Sequence, residues 1–337
     1  MERITVMGGG SWGTTLANLL ADKGFEVRLW VREEEAFRAI ASTRENVLFL
    51  PGVRLSGNLT PYTDVTAALA GSTVVLNAVP SHGVRDIFAA ARPHISKDAV
   101  IVSATKGIED RTLLTPSGVL KDVLRDTPYR AIAVISGPTF ASEVSARLPA
   151  AAVAASDNPQ AAERVQKLFS TAYFRVYAGA DVIGVELGGA FKNVIAIASG
   201  ICDGIGLGAN ARAALITRGL AEISRLGVKL GANPLTFSGL SGLGDLVLTC
   251  TGPLSRNYTT GLSIGRGKTV AEAVDGRLSV AEGVKTSKGA YALACKAGVE
   301  MPVTAEVYRV IYESKPPKEA AMELMTRDLR VEMEGLV

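Results

Sequence analysis

Residues 5–20, TVMGGGSWGTTLANLL, set three glycines in the spacing Gly8-x-Gly10-x-x-Gly13 between a short apolar run and a helix-like pattern. In a strand–turn–helix setting this spacing is the dinucleotide fingerprint. The first glycine permits a tight turn and the second lets the backbone approach a pyrophosphate. The third lets helix and strand pack closely, while the helix N-terminus offers unpaired N–H groups to the anion. Alone, the match is also compatible with an ordinary glycine-rich turn, so the rest of the chain has to decide.

The 337 residues exceed one ordinary core and predict two domains. With 47% hydrophobic and 20% charged residues, the chain falls among globular proteins and not disordered ones. A net charge of +3 is too small and too evenly spread for a nucleic-acid surface, but it suits small anionic ligands. Cys202, Cys250 and Cys295 have no metal-ligand spacing, so reduced thiols and no bound metal are expected. The first strand begins almost at Met1, and no run of about 18 apolar residues is uninterrupted; neither a signal peptide nor a membrane span is expected, and the expected location is the cytoplasm.

The first half repeats short β-branched runs. Strands are predicted at Ile4–Met7, Val27–Val31, Val74–Val79, Val100–Ser103, Ala131–Ile135, Ala151–Ala155 and Phe174–Tyr177, with helical stretches such as Trp12–Lys23, Thr66–Ala70 and Gly83–Ala91 between them. Several runs are apolar throughout, as in strands covered on both faces, and the alternation is that of a doubly wound, mainly parallel sheet. Past residue 183 the segments are helical in length and spacing. The expectation is therefore α/β plus all-α: a Rossmann-type domain over 1–183 and a helical substrate and catalytic domain over 184–337. Ligands should lie at the carboxyl ends of the strands.

The end of the second strand chooses the dinucleotide. An acidic residue there would accept from a ribose hydroxyl, whereas an arginine can pair with a 2′-phosphate. Arg32 stands 19 residues after Gly13, followed by Glu33 and Glu34. Three readings stay open: Arg32 on a phosphate, Glu33 or Glu34 on a ribose, or Arg32 as a solvated strand-end charge. The arginine favours NADP(H), with NAD(H) also possible.

His82 lies near a ligand-facing edge with no carboxylate among its immediate neighbours, and His94, between Pro93 and Ile95, reads as part of a solvent-exposed connection, so lysines are the stronger acid–base candidates. Lys106 follows a strand at its carboxyl end. Lys192 lies in LGGAFKNVIAIASG, apolar nearly all round, where its ammonium must either meet a partner or snorkel to water. Asn193 beside it offers a donor and an acceptor. In FSGLSGLGDLVLTCTGPLSRNYTTG, Asp245 could pair with a lysine or cap a helix. Ser255, Arg256 and Asn257 supply hydroxyl, guanidinium and amide donors suited to a phosphate. Glu282 also fits a capping box with Ser279.

The ordered segments GGGSWGTTLAN, LPG, VPSH, SATKGIE, SGPTFASEV, ELGGAFKNVIAIASGICDG, LSGLGDLVLTCTG, SRNYTTG and EGVKTSKGAYALA span nearly the whole chain. With them the chain resembles the bacterial NAD(P)-dependent glycerol-3-phosphate dehydrogenases. Phe49, where that family often has tyrosine, and Ser56, where proline is common, depart from the pattern outside the candidate chemistry. The resemblance implies that Gly8, Gly10, Ser11, Trp12, Gly13, Arg32, Lys106, Ala141, Arg256, Val280 and Glu282 serve the cofactor. It implies a substrate site of Lys106, Gly137, Thr139, Lys192, Asn193, Asp245, Thr249, Ser255, Arg256 and Asn257. Lys192 would be the proton donor and acceptor, with Lys106 and Asp245 beside it in catalysis. Dihydroxyacetone phosphate and sn-glycerol 3-phosphate would be interconverted by a homodimer that supplies glycerol phosphate for phospholipids. Two rivals share the fold features: a related two-domain hydroxyacid dehydrogenase, and a non-catalytic NADP-binding sensor.

Overall fold

Val74–Asn77, Val100–Ser103 and Ala131–Ser136 are buried at every position, so neither face of these strands meets water. Only a sheet covered on both sides accommodates such runs. The computed structural model describes residues 2–274, 282–329 and 331–332. Its strands are β1 (Arg3–Met7), β2 (Glu26–Trp30), β3 (Glu45–Asn46), β4 (Leu50–Arg54), β5 (Leu59–Tyr62), β6 (Val74–Asn77), β7 (Val100–Ser103), β8 (Ala131–Ser136), β9 (Ala150–Ala155) and β10 (Phe174–Gly179).

Eight of them form one sheet in the order β10-β9-β8-β7-β6-β1-β2-β5. All neighbours are parallel except β8 and β9, so β9 and β10 run against the rest. The chain passes from β1 to β2 on one side and returns to β6 on the other, which makes the carboxyl end of β1 a topological switch point. All seven predicted strands are present within one or two residues at their ends. Three further strands escape periodicity. β5 is a four-residue edge strand holding Pro61, whose missing N–H is tolerated only at an edge. β3 and β4 form a separate two-stranded antiparallel pair too short to leave an alternating pattern.

The chain divides into two compact units. One comprises Met1–Lys106 and Pro116–Val182; the other comprises Gly107–Thr115 and Ile183–Val337. Among the described residues the second unit is helical, with helices at Val182–Gly204, Gly208–Lys229, Asp245–Thr251, Arg256–Gly265, Glu282–Ala297, Pro302–Tyr312 and Pro317–Met325 among its elements. Val182–Gly204 is the one helix among the described residues long and apolar enough to cross a membrane, yet 94% of its apolar window is buried inside the protein. Val194, Ile195, Ala196 and Ile197 are wholly buried in succession. A helix apolar all round is thus the axis of the second core.

Candidate active site

At the carboxyl end of β1 the three fingerprint glycines differ in what they permit. Gly8 has φ +118°, and a Cβ there would press on the Ala78 backbone at 2.8 Å. A Cβ on Gly13 would run into the Gly8 carbonyl. Both glycines are demanded by the protein's own packing. A Cβ on Gly10 would meet nothing within 4 Å, and its φ of −68° suits any residue. The free space beside Gly10 therefore fits a ligand lying against the backbone. Gly10 is also the N-cap of the helix Ser11–Asp22 and contributes no side-chain cap, so the first-turn N–H groups need an outside partner. These residues suit the pyrophosphate of a dinucleotide. Asn46 braces the turn by donating its side-chain amide to Gly9 O and Thr14 Oγ1, both at 2.8 Å.

β2 ends at Trp30, and Arg32 lies beyond it with its side chain 74% exposed. Its Nε and Nη2 donate to one oxygen of Glu33 at 3.0 and 2.7 Å, while Glu34 pairs with Arg38. Arginine and acid thus stand together at the position that discriminates the ribose.

Lys106 follows β7, and its Nζ donates to Gly137 O at 3.3 Å. Thr139 Oγ1 donates to the same carbonyl at 3.2 Å. Gly137 must be glycine because a Cβ would meet Ala151 O at 2.6 Å on neighbouring β9. Ala141 opens the short helix Ala141–Ser145, and its carbonyl accepts from Thr15 Oγ1 at 3.3 Å. Lys106, Gly137 and Thr139 are thus gathered at the ends of β7 and β8, one strand and more from the glycine turn.

In the second unit, Lys192 projects from the long axial helix and is 7% exposed. Its ammonium pairs with Asp245, which is completely buried, and donates to Thr249 Oγ1 at 2.9 Å. Asp245 and Thr249 lie one turn apart on Asp245–Thr251, so both reach the same ammonium. The carboxylate also stands at that helix's positive end. Cys250, next along, is buried; desolvation pushes its thiol well above the ordinary range, Asp245 adds to this and Lys192 opposes it. It is a neutral, packed thiol rather than a nucleophile.

Ser255 caps the helix Arg256–Gly265 by accepting from Tyr258 N at 3.2 Å, and its hydroxyl proton stays available to a ligand. Asn257 donates to Asn193 Oδ1 at 2.9 Å and accepts from Gly283 N at 2.9 Å. Arg256 is exposed at the first position of that helix. Glu282 opens the helix Glu282–Ala297; Val280 and Ser279 lie outside the described residues. The second unit thus brings together Lys192, Asn193, Asp245, Thr249, Ser255 and Asn257, with Arg256 beside them.

Sequence reasoning overlooked three groups. Asn46 braces the glycine turn from 37 residues away. Asp203 Oδ2 accepts from Tyr258 OH and Arg212 Nη1, both at 2.6 Å. Glu222 caps the distant helix Pro302–Tyr312 by accepting from Val303 N at 2.6 Å. None carries a local signal; Tyr258, directly after SRN, is the one residue nearby in sequence that points to such a tie.

A Rossmann-type unit with an open glycine cradle, joined in one chain to a helical unit holding a buried lysine–aspartate pair, defines a nicotinamide-dependent oxidoreductase. Residues 3–162 and 181–322 match the N-terminal and C-terminal models of the NAD-dependent glycerol-3-phosphate dehydrogenases. The chain belongs to that family. It is 55% identical over 331 residues to the glycerol-3-phosphate dehydrogenase (NAD(P)+) of Geobacter sp. (strain M21), covering 98% of this chain and 99% of the relative. The enzyme of that name from Citrifermentans bemidjiense is 53% identical over 331 residues, with the same coverage. A crystal structure of glycerol-3-phosphate dehydrogenase from Coxiella burnetii is similar at a TM-score of 0.93 and 41% identity, covering 97% of this chain and 99% of that one.

Proposed function

We propose that the protein interconverts dihydroxyacetone phosphate and sn-glycerol 3-phosphate, with NADP(H) preferred over NAD(H). The nicotinamide, when bound, supplies or accepts the hydride at the substrate's central carbon. Lys192 gives a proton to the carbonyl oxygen as it becomes an alkoxide, and takes one back from the hydroxyl in the reverse direction. Asp245 holds the ammonium in place, and Thr249 fixes its direction. Arg256, with Ser255 and Asn257, anchors the phosphate, and Lys106, Gly137 and Thr139 complete the substrate contacts. Gly8 to Gly13, Arg32, Ala141, Val280 and Glu282 serve the cofactor, with Lys106 and Arg256 touching both ligands. In this reading the first unit carries the cofactor and the second the acid–base chemistry. The enzyme works as a cytoplasmic homodimer whose product feeds phospholipid synthesis.

The observation that supports this reading most is the burial of the Lys192–Asp245–Thr249 cluster, because an ammonium kept from water without a task is a costly arrangement. The test is loss of NADPH absorbance on adding dihydroxyacetone phosphate. Lys192→Met is expected to abolish that loss while leaving NADPH binding intact. Near-normal kcat in the variant would remove Lys192 from the chemistry, and cofactor binding with no turnover in the wild type would leave a sensor.

A further inference from the structure

The helix Val182–Gly204 carries Lys192 and touches two other segments so closely that only glycine fits. One turn before Lys192, a Cβ on Gly188 would collide with the carbonyl oxygen of Ser241, well inside the 3.0 Å that real Cβ atoms keep. Ser241 lies in the π-helical turn Leu240–Gly244, one turn before Asp245. A Cβ on Gly242 would in turn collide with Phe237 O, so the π-turn itself has no slack. Two turns beyond Lys192, a Cβ on Gly200 would collide with the carbonyl oxygen of Tyr258, which directly follows Ser255, Arg256 and Asn257. That second contact continues along the helix: Gly261 lies against Ile197 O, and Gly265 against Ile201 O and Gly204 Cα. Tyr258 is also tied to the axial helix through its hydroxyl on Asp203 Oδ2 at 2.6 Å.

We infer that Gly188 and Gly200 are positioning residues that use the axial helix as a ruler, Gly188 setting Asp245 against Lys192 and Gly200 setting the Ser255–Asn257 segment at a fixed distance from both. This rests on the roles given above to Lys192 and Arg256. The two contacts hold different parts of the reaction, the proton at one and the phosphate at the other. Glycine is otherwise a poor residue for the middle of a 23-residue helix, where alanine would favour the helical state. Its presence at these two heights serves the close approach. Interiors do not deform continuously, so an added methyl moves the opposing carbonyl and the segment behind it.

The test is a double dissociation. Gly188→Ala is expected to lower kcat on the order of 100-fold, as a ~1 Å misplacement of reacting groups does, with KM for dihydroxyacetone phosphate little changed. Gly200→Ala is expected to raise that KM by about 10-fold or more, the loss of a charge-assisted anchor, with kcat little changed and with dihydroxyacetone itself hardly affected. NADPH affinity, measured by fluorescence titration, should stay at the wild-type value in both and reports that each is folded. If Gly188→Ala does not accumulate as folded protein, Gly242→Ala pushes the same turn from the Phe237 side and should give the same kcat loss. If Gly200→Ala fails to fold, Tyr258→Phe releases the same segment more gently and should raise KM selectively. Wild-type kinetics in both variants, or kcat and KM moving together in both, would overturn the proposal. Lys192→Met and Arg256→Ala run in parallel; normal turnover in the former or unchanged phosphate selectivity in the latter overturns the underlying roles instead.

Discussion

Thr249 Oγ1 accepts from Lys192 Nζ at 2.9 Å and donates to the Asp245 carbonyl at 2.6 Å, so one hydroxyl links the ammonium to the backbone that carries its counter-ion. Removing the carboxylate charge alone should therefore be more damaging than removing the hydroxyl. Asp245→Asn leaves a buried ammonium without its counter-charge, which favours the neutral amine. Ketone reduction needs the protonated lysine, so kcat should fall ~100-fold or more at neutral pH, and the alkaline limb of its pH profile should move to lower pH. Thr249→Val should cost about 10-fold, from loss of one hydrogen bond to a charged group, with the limb near its original place. An unmoved limb in Asp245→Asn would show that the carboxylate does not control the proton.

Arg256 stands exposed at the start of its helix, where guanidinium and N-terminal N–H groups can face one anion. Arg256→Ala should reduce kcat/KM for dihydroxyacetone phosphate by about 100-fold, the worth of a charge-assisted anchor of ~3 kcal/mol. Dihydroxyacetone, lacking the phosphate, should lose little. Equal losses for the two ketones would take the phosphate away from Arg256.

Arg32 gives both Nε and Nη2 to Glu33, so a 2′-phosphate would have to compete with that carboxylate. Arg32→Ala should raise KM for NADPH more than for NADH, whereas Glu33→Gln should free the guanidinium and widen the preference for NADPH. The pair is exposed, so each change should be modest, within about 10-fold, and should shrink with added salt. The ratio of the two kcat/KM values is the readout. A ratio that Arg32→Ala leaves untouched, together with a KM for NADH that Glu33→Gln raises while that for NADPH stays put, would assign the ribose to the acid.

Much of the first unit is legible in the sequence because burial on both faces writes long apolar runs at Val74, Val100 and Ala131. The edge strand Leu59–Tyr62 is not, since Pro61 and its short length erase the pattern. The reversal of β9 and β10 is equally silent, because the residue pattern along a strand does not record which way it runs beside its neighbour. In the second unit Lys192 announces itself as a charge inside an apolar helix. The contact to Asp245 spans 53 residues, and sequence allowed it only as one option beside a helix cap. The bracing of Tyr258 by Asp203 and of the glycine turn by Asn46 has no periodic or compositional trace at all. Such polar ties depend on which helices happen to lie side by side, and tertiary packing decides that.

Glu222 accepts from Val303 N at 2.6 Å and from Thr304 N and Thr304 Oγ1 at 3.2 Å, which makes it the cap of a helix 80 residues away. Burial pushes its carboxyl up from the ordinary 4.5 to about 7, with the three hydrogen bonds and Arg225 pulling the other way. The folded protein therefore holds this proton more tightly than the unfolded chain. The resulting stability is fully present below pH 4.5 and is lost as the pH rises through about 7. The span corresponds to roughly 3 kcal/mol at ~1.36 kcal/mol per pH unit. Glu222→Gln keeps an acceptor for Val303 N but does not titrate. Urea midpoints of the wild type should therefore fall relative to this variant between pH 5 and pH 7.5, whatever other groups contribute to both. Two curves that stay parallel across that window would mean that Glu222 is ionised throughout, with its hydrogen bonds outweighing burial.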